Sequence, residues 1–332
     1  MKASKILQVV TTHTGGEPTC IVYGGLKPIP GKTMQQRMQH MQQHEDKLRT
    51  AICLEPRGGV RCGVILTDPC DPRADIGVLH FSTSAWMPMC GHNTIGLAVA
   101  LVETGMVDVR EPVTEIVMDT PAGLVTAKVN VKDGEAQSVT FRNAPSFVLA
   151  LDCEVETERY GRIKCDISYG GNIGAVICAD SLGLQLEAEN AKQLVQEGLY
   201  LYNIIKEQVE INHPTIPGLG LHHVQFSAES DTEGVSERNT VVNMVGNIDR
   251  SPCGTGTCAK LAVKHAKGLL AKGEKFVHES LLKSTFDCVI VDECMVNGIP
   301  AVIPEITGTA YITGIGSLII NDKDPQTYGF KL

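Results

Sequence analysis

Two cysteine segments in this sequence have the residue types and the spacing for acid–base chemistry at a thiol. The segment CGHNT begins at Cys90 and opens an apolar run that stops at Gly105, and the segment CGTGT begins at Cys253 and opens another that stops at Gly268. Both follow the pattern C-G-x-x-T-x10-G, and they lie about half the chain length apart. The repetition predicts two related halves, each with a Cys-Gly turn at the start of a helix.

A helix start is a favourable place for both an anion and a reactive sulfur. The first turn offers backbone N–H groups without intrahelical partners, at the positive end of the helix dipole. A cysteine there has its pKa lowered from about 8.5, because the thiolate is stabilised. We therefore expect each half to combine a cradle for a carboxylate with a reactive thiol, and the neighbouring glycine allows the ligand to approach the backbone closely.

Two such half-sites can act on one small acid if the halves face each other across a cleft. Inversion of a stereocentre beside a carboxylate needs a base on one face of the α-carbon and an acid on the other. One thiolate and one thiol supply these two roles, and the same pair with exchanged roles runs the reverse reaction. The charge that develops on the carboxylate would be stabilised by the helix N–H groups.

The elements that must position these segments are strands mixed with a few long helices. Strand-like runs occupy 4–10, 20–23, 63–67 and 76–80, and 114–147 alternates as hairpins do, with turn signals at 121–123 and 132–134. Helical periodicity marks 32–44 and 191–211 in addition to the two runs that follow the cysteine segments. This mixture predicts an α/β or α+β chain.

Composition excludes several classes of protein. The 332 residues leave room for about two domains, and 43% are hydrophobic, as in ordinary globular proteins. The net charge is −9 without a basic stripe, so neither nucleic acid nor an anionic membrane is an expected partner. The twelve cysteines form no CxxC pair and no zinc motif with histidine, so no metal ligands are predicted. Without a recognisable signal peptide or membrane span, we expect a cytoplasmic protein with reduced thiols.

The cysteine segments resemble the two signature motifs of the proline racemase family, which also includes hydroxyproline 2-epimerases and trans-3-hydroxyproline dehydratases. The resemblance is carried by MCGHNTIG from Met89 and by DRSPCGTGT from Asp249, and it extends to HTGGE from His13 and GTAYITG from Gly308. It therefore covers nearly the whole chain.

The resemblance implies a fold, a domain organisation and an assembly. The fold would be the diaminopimelate-epimerase-like α/β fold, with two pseudo-symmetric lobes and a central cleft. We place the first lobe at 1–147, joined by a returning C-terminal strand at about 318–332, and the second lobe at 148–317. Family resemblance also implies that the enzyme uses no cofactor and forms a homodimer.

The resemblance also implies roles for individual residues. Cys90 and Cys253 correspond to the two acid–base thiols. Asp249 corresponds to the group that accepts a hydrogen bond from the ring nitrogen of the substrate, as suits an ionised carboxylate facing a protonated amine. The backbone amides that correspond to the carboxylate cradle are those of Gly91, His92, Gly254 and Thr255.

Substrate choice rests on positions where this chain departs from the racemases. The dehydratases carry Thr at the position of Cys253, so two cysteines favour racemisation or epimerisation. Proline racemases have Phe at the position of Cys62 and a second Phe at that of Asn243 or Met244, and none of these residues is aromatic here. The absence of these aromatic side chains leaves space, or a polar group, that can accommodate a hydroxyl on the substrate ring. This favours 4-hydroxyproline over proline.

Several alternatives stay open on the sequence alone. His92 either contacts the substrate hydroxyl or is satisfied by its neighbours, and Cys258 is expected to serve packing. His13 and Glu17 either lie next to the substrate or serve the Gly-Gly turn that they flank, and the turn favours the structural role. The alternative functions are a trans-3-hydroxyproline dehydratase and a catalytically silent protein that binds an imino acid.

Overall fold

The chain alternates between strands and a few helices, which confirms the predicted α/β class. The computed structural model describes residues 3–57 and 62–330. The strands of this part of the chain are β1 (Lys5–Thr14), β2 (Glu17–Gly24), β3 (Cys62–Thr67), β4 (Ile76–Ser82), β5 (Trp86–Met87), β6 (Val113–Thr120), β7 (Gly123–Lys132), β8 (Glu135–Arg142), β9 (Ser146–Thr157), β10 (Gly161–Tyr169), β11 (Ile173–Cys178), β12 (Leu221–Ala228), β13 (Glu237–Asn243), β14 (Lys275–Glu279), β15 (Thr285–Val296), β16 (Ile299–Gly308) and β17 (Ala310–Ile320). The helices are α1 (Met34–His44), α2 (Asp46–Cys53), α3 (Gly91–Glu103), α4 (Ala191–Gln208) and α5 (Gly254–Ala266).

The chain divides into two compact units that repeat one order of strand pairing. Unit 1 consists of Met1–Phe141 and Gly308–Leu332, and unit 2 of Arg142–Thr307; the lobe boundaries expected from the sequence are 147 and about 318. In unit 1 the sheet runs β17-β1-β2-β3-β4-β6-β7-β8, with parallel pairing at β2–β3 and β4–β6. In unit 2 it runs β9-β10-β11-β12-β13-β14-β15-β16, with parallel pairing at β11–β12 and β13–β14. The parallel and antiparallel pairs therefore fall at the same places in both units.

Each parallel pair is joined by helices, because parallel neighbours need a crossover connection. Helices α1 and α2 connect β2 to β3, whereas the single longer helix α4 makes the corresponding connection in unit 2. Helices α3 and α5 follow β4 and β13 and lead into the second parallel pair of their unit. The periodicity of the sequence predicts α1 and α4 correctly, but α2 was not predicted, since eight residues give too few turns for a clear pattern.

The helices that follow the two cysteines are central to their units. Every residue of α3 from Gly91 to Val102 is buried, which is typical of a helix enclosed on all sides. It packs against β1 and β17, and α5 packs against β9 and β10. Both helices have 13 residues and begin at the glycine after the cysteine, as predicted.

Both central helices also end in the same way. Gly105 and Gly268 have φ of 68° and 69°, the left-handed conformation that glycine adopts without strain. At each end the glycine N–H donates to the carbonyl three residues back, and the next N–H donates to the carbonyl five residues back. This is the Schellman arrangement, so the predicted stops are helix C-caps.

None of the helices in residues 3–57 and 62–330 is long and apolar enough to cross a membrane. All twelve cysteines are free thiols, and most of them are buried.

Candidate active site

Cys90 and Cys253 are each the residue that caps the N-terminus of a buried helix. Both side chains are largely buried, with 7% of the surface exposed. Cys90 has an extended backbone, whereas Cys253 has φ 65° and ψ 106°, which is uncommon for a residue with a side chain. The backbone N–H of Thr94 donates to the carbonyl of Cys90, and that of Thr257 donates to the carbonyl of Cys253, so the threonine of the repeated pattern closes the first turn in both units.

The four residues predicted to form the carboxylate cradle occupy the first turns of these two helices. Gly91 and His92 are the first two residues of α3, and Gly254 and Thr255 are the first two of α5. In an α-helix these positions have no carbonyl four residues earlier in the helix to accept from their N–H groups. Each first turn therefore has the local geometry that binds a carboxylate.

In unit 1, Cys90 is surrounded by polar side chains. The thiol of Cys62 is hydrogen-bonded to the sulfur of Cys90, and the Nδ1 atom of His92 lies 3.5 Å from that sulfur. Glu17 lies beside Cys62, close enough for its carboxylate to raise the pKa of the Cys62 thiol. All four side chains are buried. The surroundings of Cys90 are thus polar, one of the two possibilities that the absence of an aromatic residue at position 62 left open.

The surroundings lower the pKa of Cys90 well below its usual value. The hydrogen bond from Cys62 has the largest effect, His92 adds to it, and burial opposes both. The paired thiol of Cys62 has its pKa raised, first because it is hydrogen-bonded to Cys90 and then because it is buried, and the negative charges of Cys90 and Glu17 add to this effect. Position agrees with this order of ionisation, because Cys90 lies at the positive end of the α3 dipole. Cys90 is therefore the thiol of the pair that ionises first.

Replacement of Cys62 by alanine is expected to raise the pKa of Cys90. A hydrogen bond to a charged group contributes about 1.5–3 kcal/mol, which corresponds to a rise of roughly one to two pKa units. The thiolate would then appear only at higher pH, so the rate of alkylation of Cys90 by iodoacetamide at pH 7 should fall about tenfold. Site-resolved mass spectrometry measures this rate. The variant Cys70→Ala, at a half-buried thiol of the same unit, is the control, and an unchanged pH midpoint in Cys62→Ala would contradict the assignment.

In unit 2, Cys253 is held by a short network that leads to Asp249. The hydroxyl of Ser251 donates to Oδ1 of Asp249 at 2.8 Å and accepts the backbone N–H of Cys253 at 3.1 Å. The sulfur of Cys253 accepts the N–H of Gly256 at 3.4 Å and lies 3.6 Å from the hydroxyl of Thr255. The fold therefore fixes Asp249 and the Cys253 sulfur close to each other.

The surroundings of Cys253 raise its pKa well above the usual value. Burial has the largest effect and the negative charge of Asp249 adds to it, while the contacts from Gly256 and Thr255 lower the pKa and only partly compensate. Cys253 therefore keeps its proton over the pH range in which Cys90 loses its own. Such a pair contains one proton acceptor and one proton donor.

Sequence reasoning missed two contributions to these surroundings. For Glu17 a role in a turn was favoured over a position next to the substrate, and its burial beside Cys62 was not predicted. The parallel pairing of β2 with β3 sets Thr19 opposite Cys62, and Glu17 lies two residues earlier on β2. Ser251 was not singled out. The alternation of Asp249, Ser251 and Cys253 at every second position was the available signal.

The structure also shows the surroundings of the other residues that the sequence singled out. Oδ1 of Asn243 accepts the N–H groups of Val245 and Asn247 and so stabilises its own turn, and Met244 is 39% exposed. Cys258 is fully buried within α5, as expected for packing. Nδ1 of His13 accepts the N–H of Gly16 in the turn between β1 and β2.

Comparison with known proteins identifies the family to which this chain belongs. The family model described as proline racemase matches residues 9–331. A proline racemase of Clostridioides difficile is 44% identical over 334 residues, with 100% of both chains covered. A 4-hydroxyproline 2-epimerase of Streptosporangium roseum is 43% identical, again with 100% of both chains covered. The crystal structure of a hydroxyproline epimerase from Agrobacterium vitis with bound trans-4-hydroxy-L-proline superposes with a TM-score of 0.91 at 35% identity, covering 100% of this chain and 96% of that one.

Proposed function

The chain belongs to the proline racemase family, and we propose that it is a cofactor-independent 2-epimerase of 4-hydroxyproline that uses Cys90 and Cys253 as acid and base. The observation that carries the proposal is the pair of helix-capping cysteines whose pKa values are shifted in opposite directions. Racemases and epimerases are isomerases, and the similar relatives have these activities by name.

Substrate binding uses the two helix starts and one carboxylate. The N–H groups of Gly91 and His92 in α3, and of Gly254 and Thr255 in α5, hold the substrate carboxylate. Asp249 accepts a hydrogen bond from the protonated ring nitrogen, an interaction strengthened by the opposite charges. These contacts present the α-carbon to both sulfur atoms.

Proton transfer then follows the directions in which the two pKa values are shifted. The Cys90 thiolate removes the α-proton from one face, and the electron pair of the C–H bond moves into the carboxylate, where the helix N–H groups stabilise the added charge. The Cys253 thiol gives its proton to the opposite face of the α-carbon. The product leaves Cys90 as a thiol and Cys253 as a thiolate, and turnover of the other isomer restores the first state.

The polar surroundings of Cys90 support 4-hydroxyproline as the favoured substrate. Cys62, Glu17 and His92 offer buried hydrogen-bonding groups close to the reacting sulfur. A ring hydroxyl can replace the hydrogen bonds that water makes with such groups, whereas the bare methylene of proline cannot. The cost of losing a buried hydrogen bond is about 1–3 kcal/mol, so we expect kcat/KM for 4-hydroxyproline to exceed that for proline by about tenfold or more.

Proton NMR in heavy water tests substrate and reaction together. The protein, freed of metal with a chelator, should exchange the α-proton of trans-4-hydroxy-L-proline and invert C2, with L-proline reacting more slowly. Loss of water from trans-3-hydroxyproline would instead identify the dehydratase, although Cys253 is present where dehydratases carry Thr. Equilibrium binding of an imino acid without isotope exchange would identify a silent binding protein. The homodimer and the cytoplasmic location expected from the sequence stay predictions.

A further inference from the structure

Three side chains beside Cys90 have the composition of a transition-metal site. A carboxylate oxygen of Glu17, the sulfur of Cys62 and a ring nitrogen of His92 all lie within 4.8 Å of one another. No other group of three or more such residues meets this criterion within 3–57 and 62–330. Each of the three residues is buried but keeps between 4% and 8% of its surface exposed.

The fold brings these groups together from three separate elements. Glu17 is the first residue of β2, and Cys62 is the first residue of β3, its parallel neighbour. His92 is the second residue of α3. The cluster is therefore fixed by strand pairing and by a buried helix rather than by a flexible loop, as a preorganised metal site requires.

Cys90 lies next to this group of three. Its sulfur lies 3.5 Å from Nδ1 of His92. Zinc in proteins has four ligands, and a site with three protein ligands keeps its fourth position open for water. Glu17, Cys62 and His92 therefore suffice to bind the ion, and Cys90 is a neighbour of the site.

From this arrangement, we propose that unit 1 contains a binding site for Zn²⁺ formed by Glu17, Cys62 and His92, next to Cys90. A sulfur atom, an imidazole and one carboxylate select zinc over magnesium or calcium, which prefer oxygen ligands. The Cys62 proton is released to solvent when the ion binds, since zinc coordinates the thiolate.

Zinc bound there inhibits the proposed epimerase. The inhibition follows only if Cys90 is the catalytic base, so this part rests on the proposed function. A cation next to Cys90 stabilises the thiolate and so weakens it as a proton acceptor, and the ion also occupies the polar surroundings where the ring hydroxyl would bind. Removal of the ion by a chelator should restore the full rate, because no covalent bond to carbon forms.

Titration of the reduced, metal-free protein with cobalt and then zinc tests the site without any substrate. We expect one equivalent of Co²⁺ to give thiolate charge-transfer and tetrahedral d–d absorption bands, and one equivalent of Zn²⁺ to abolish both. Competition with a chromophoric chelator then gives the zinc affinity. Cys62→Ala and its closer isostere Cys62→Ser should each weaken zinc binding by about 100-fold, and Glu17→Gln by about tenfold. Cys70→Ala is the matched control and should bind zinc as the native protein does.

Each outcome either supports or overturns the site. Absence of stoichiometric cobalt binding, or zinc affinity unchanged in folded Cys62→Ser, would overturn it. Circular dichroism establishes that each variant is folded. Cobalt spectra that depend on Cys62, in a protein inactive on every imino acid, would refute the proposed function and leave the metal site standing. An active epimerase that zinc does not inhibit would refute the site and leave the function standing.

Discussion

Cys90→Ala and Cys253→Ala are each expected to lose at least about 10²–10⁴-fold in kcat/KM for inversion, the range contributed by a positioned acid or base. Each substitution removes the proton-transfer group from one face of the α-carbon. The double variant should be no slower than either single variant, because both residues serve one step. Polarimetry measures the inversion.

Isotope exchange sharpens this test, because one remaining cysteine can still remove and return a proton on its own face. In heavy water, each single variant should wash deuterium into one stereoisomer without inverting it, and the two variants should differ in which isomer exchanges. Cys70→Ala in unit 1 and Cys178→Ala, at an exposed thiol in unit 2, are the controls and should keep nearly native rates. Either catalytic variant retaining a tenth of native inversion would rule out the two-cysteine mechanism.

Asp249→Asn is expected to reduce kcat/KM by about 30- to 1000-fold, mainly through a higher KM. The amide keeps an oxygen that can accept from Ser251 but loses the charge that pairs with the ring nitrogen, and truncation of a buried charge pair costs roughly 2–4 kcal/mol. Glu207→Gln, which removes an exposed charge from α4 of the same unit, is the matched control. Steady-state kinetics with 4-hydroxyproline give both constants, and a native KM would exclude Asp249 as the partner of the substrate amine.

The same variant should change the pH dependence in a defined direction. The charge of Asp249 helps to raise the pKa of Cys253, so its removal lowers that pKa. Since Cys253 acts as an acid only below its pKa, the alkaline limb of the kcat/KM profile should move to lower pH. The acid limb reports the Cys90 thiolate in unit 1 and should stay in place. Movement of the acid limb instead would reverse the assignment of the two roles.

Local signals account for what the sequence predicted well. The helix starts at Gly91 and Gly254 and the stops at Gly105 and Gly268 depend on capping residues that act within a turn. The turn at 132–134 is equally local, because Asp133 and Gly134 both adopt positive φ, as a tight hairpin requires. The predictions of the helix ends and of this turn do not depend on which strands pair.

Pairing between distant segments accounts for what the sequence did not predict. Cys62 and Glu17 reach each other only because β2 and β3 are parallel neighbours across the α1–α2 crossover. Because of that pairing, Cys62, which stands where proline racemases have an aromatic residue, is hydrogen-bonded to Cys90. The sequence alone shows that position 62 is not aromatic. The effect of Cys62 on the pKa of Cys90 depends on which residues lie next to each other in the fold.

The pairing of β1 with β17 also sets the order in which the chain can fold as it is made. Unit 2 is one continuous stretch, so all of its strands are available once the ribosome has passed Thr307. Unit 1 contains β1, which precedes unit 2, and β17, which follows unit 2, pairs with β1 and packs against α3. Unit 1 is therefore completed only after all of unit 2 has been synthesised, and until then the face of α3 that β17 covers lacks that strand.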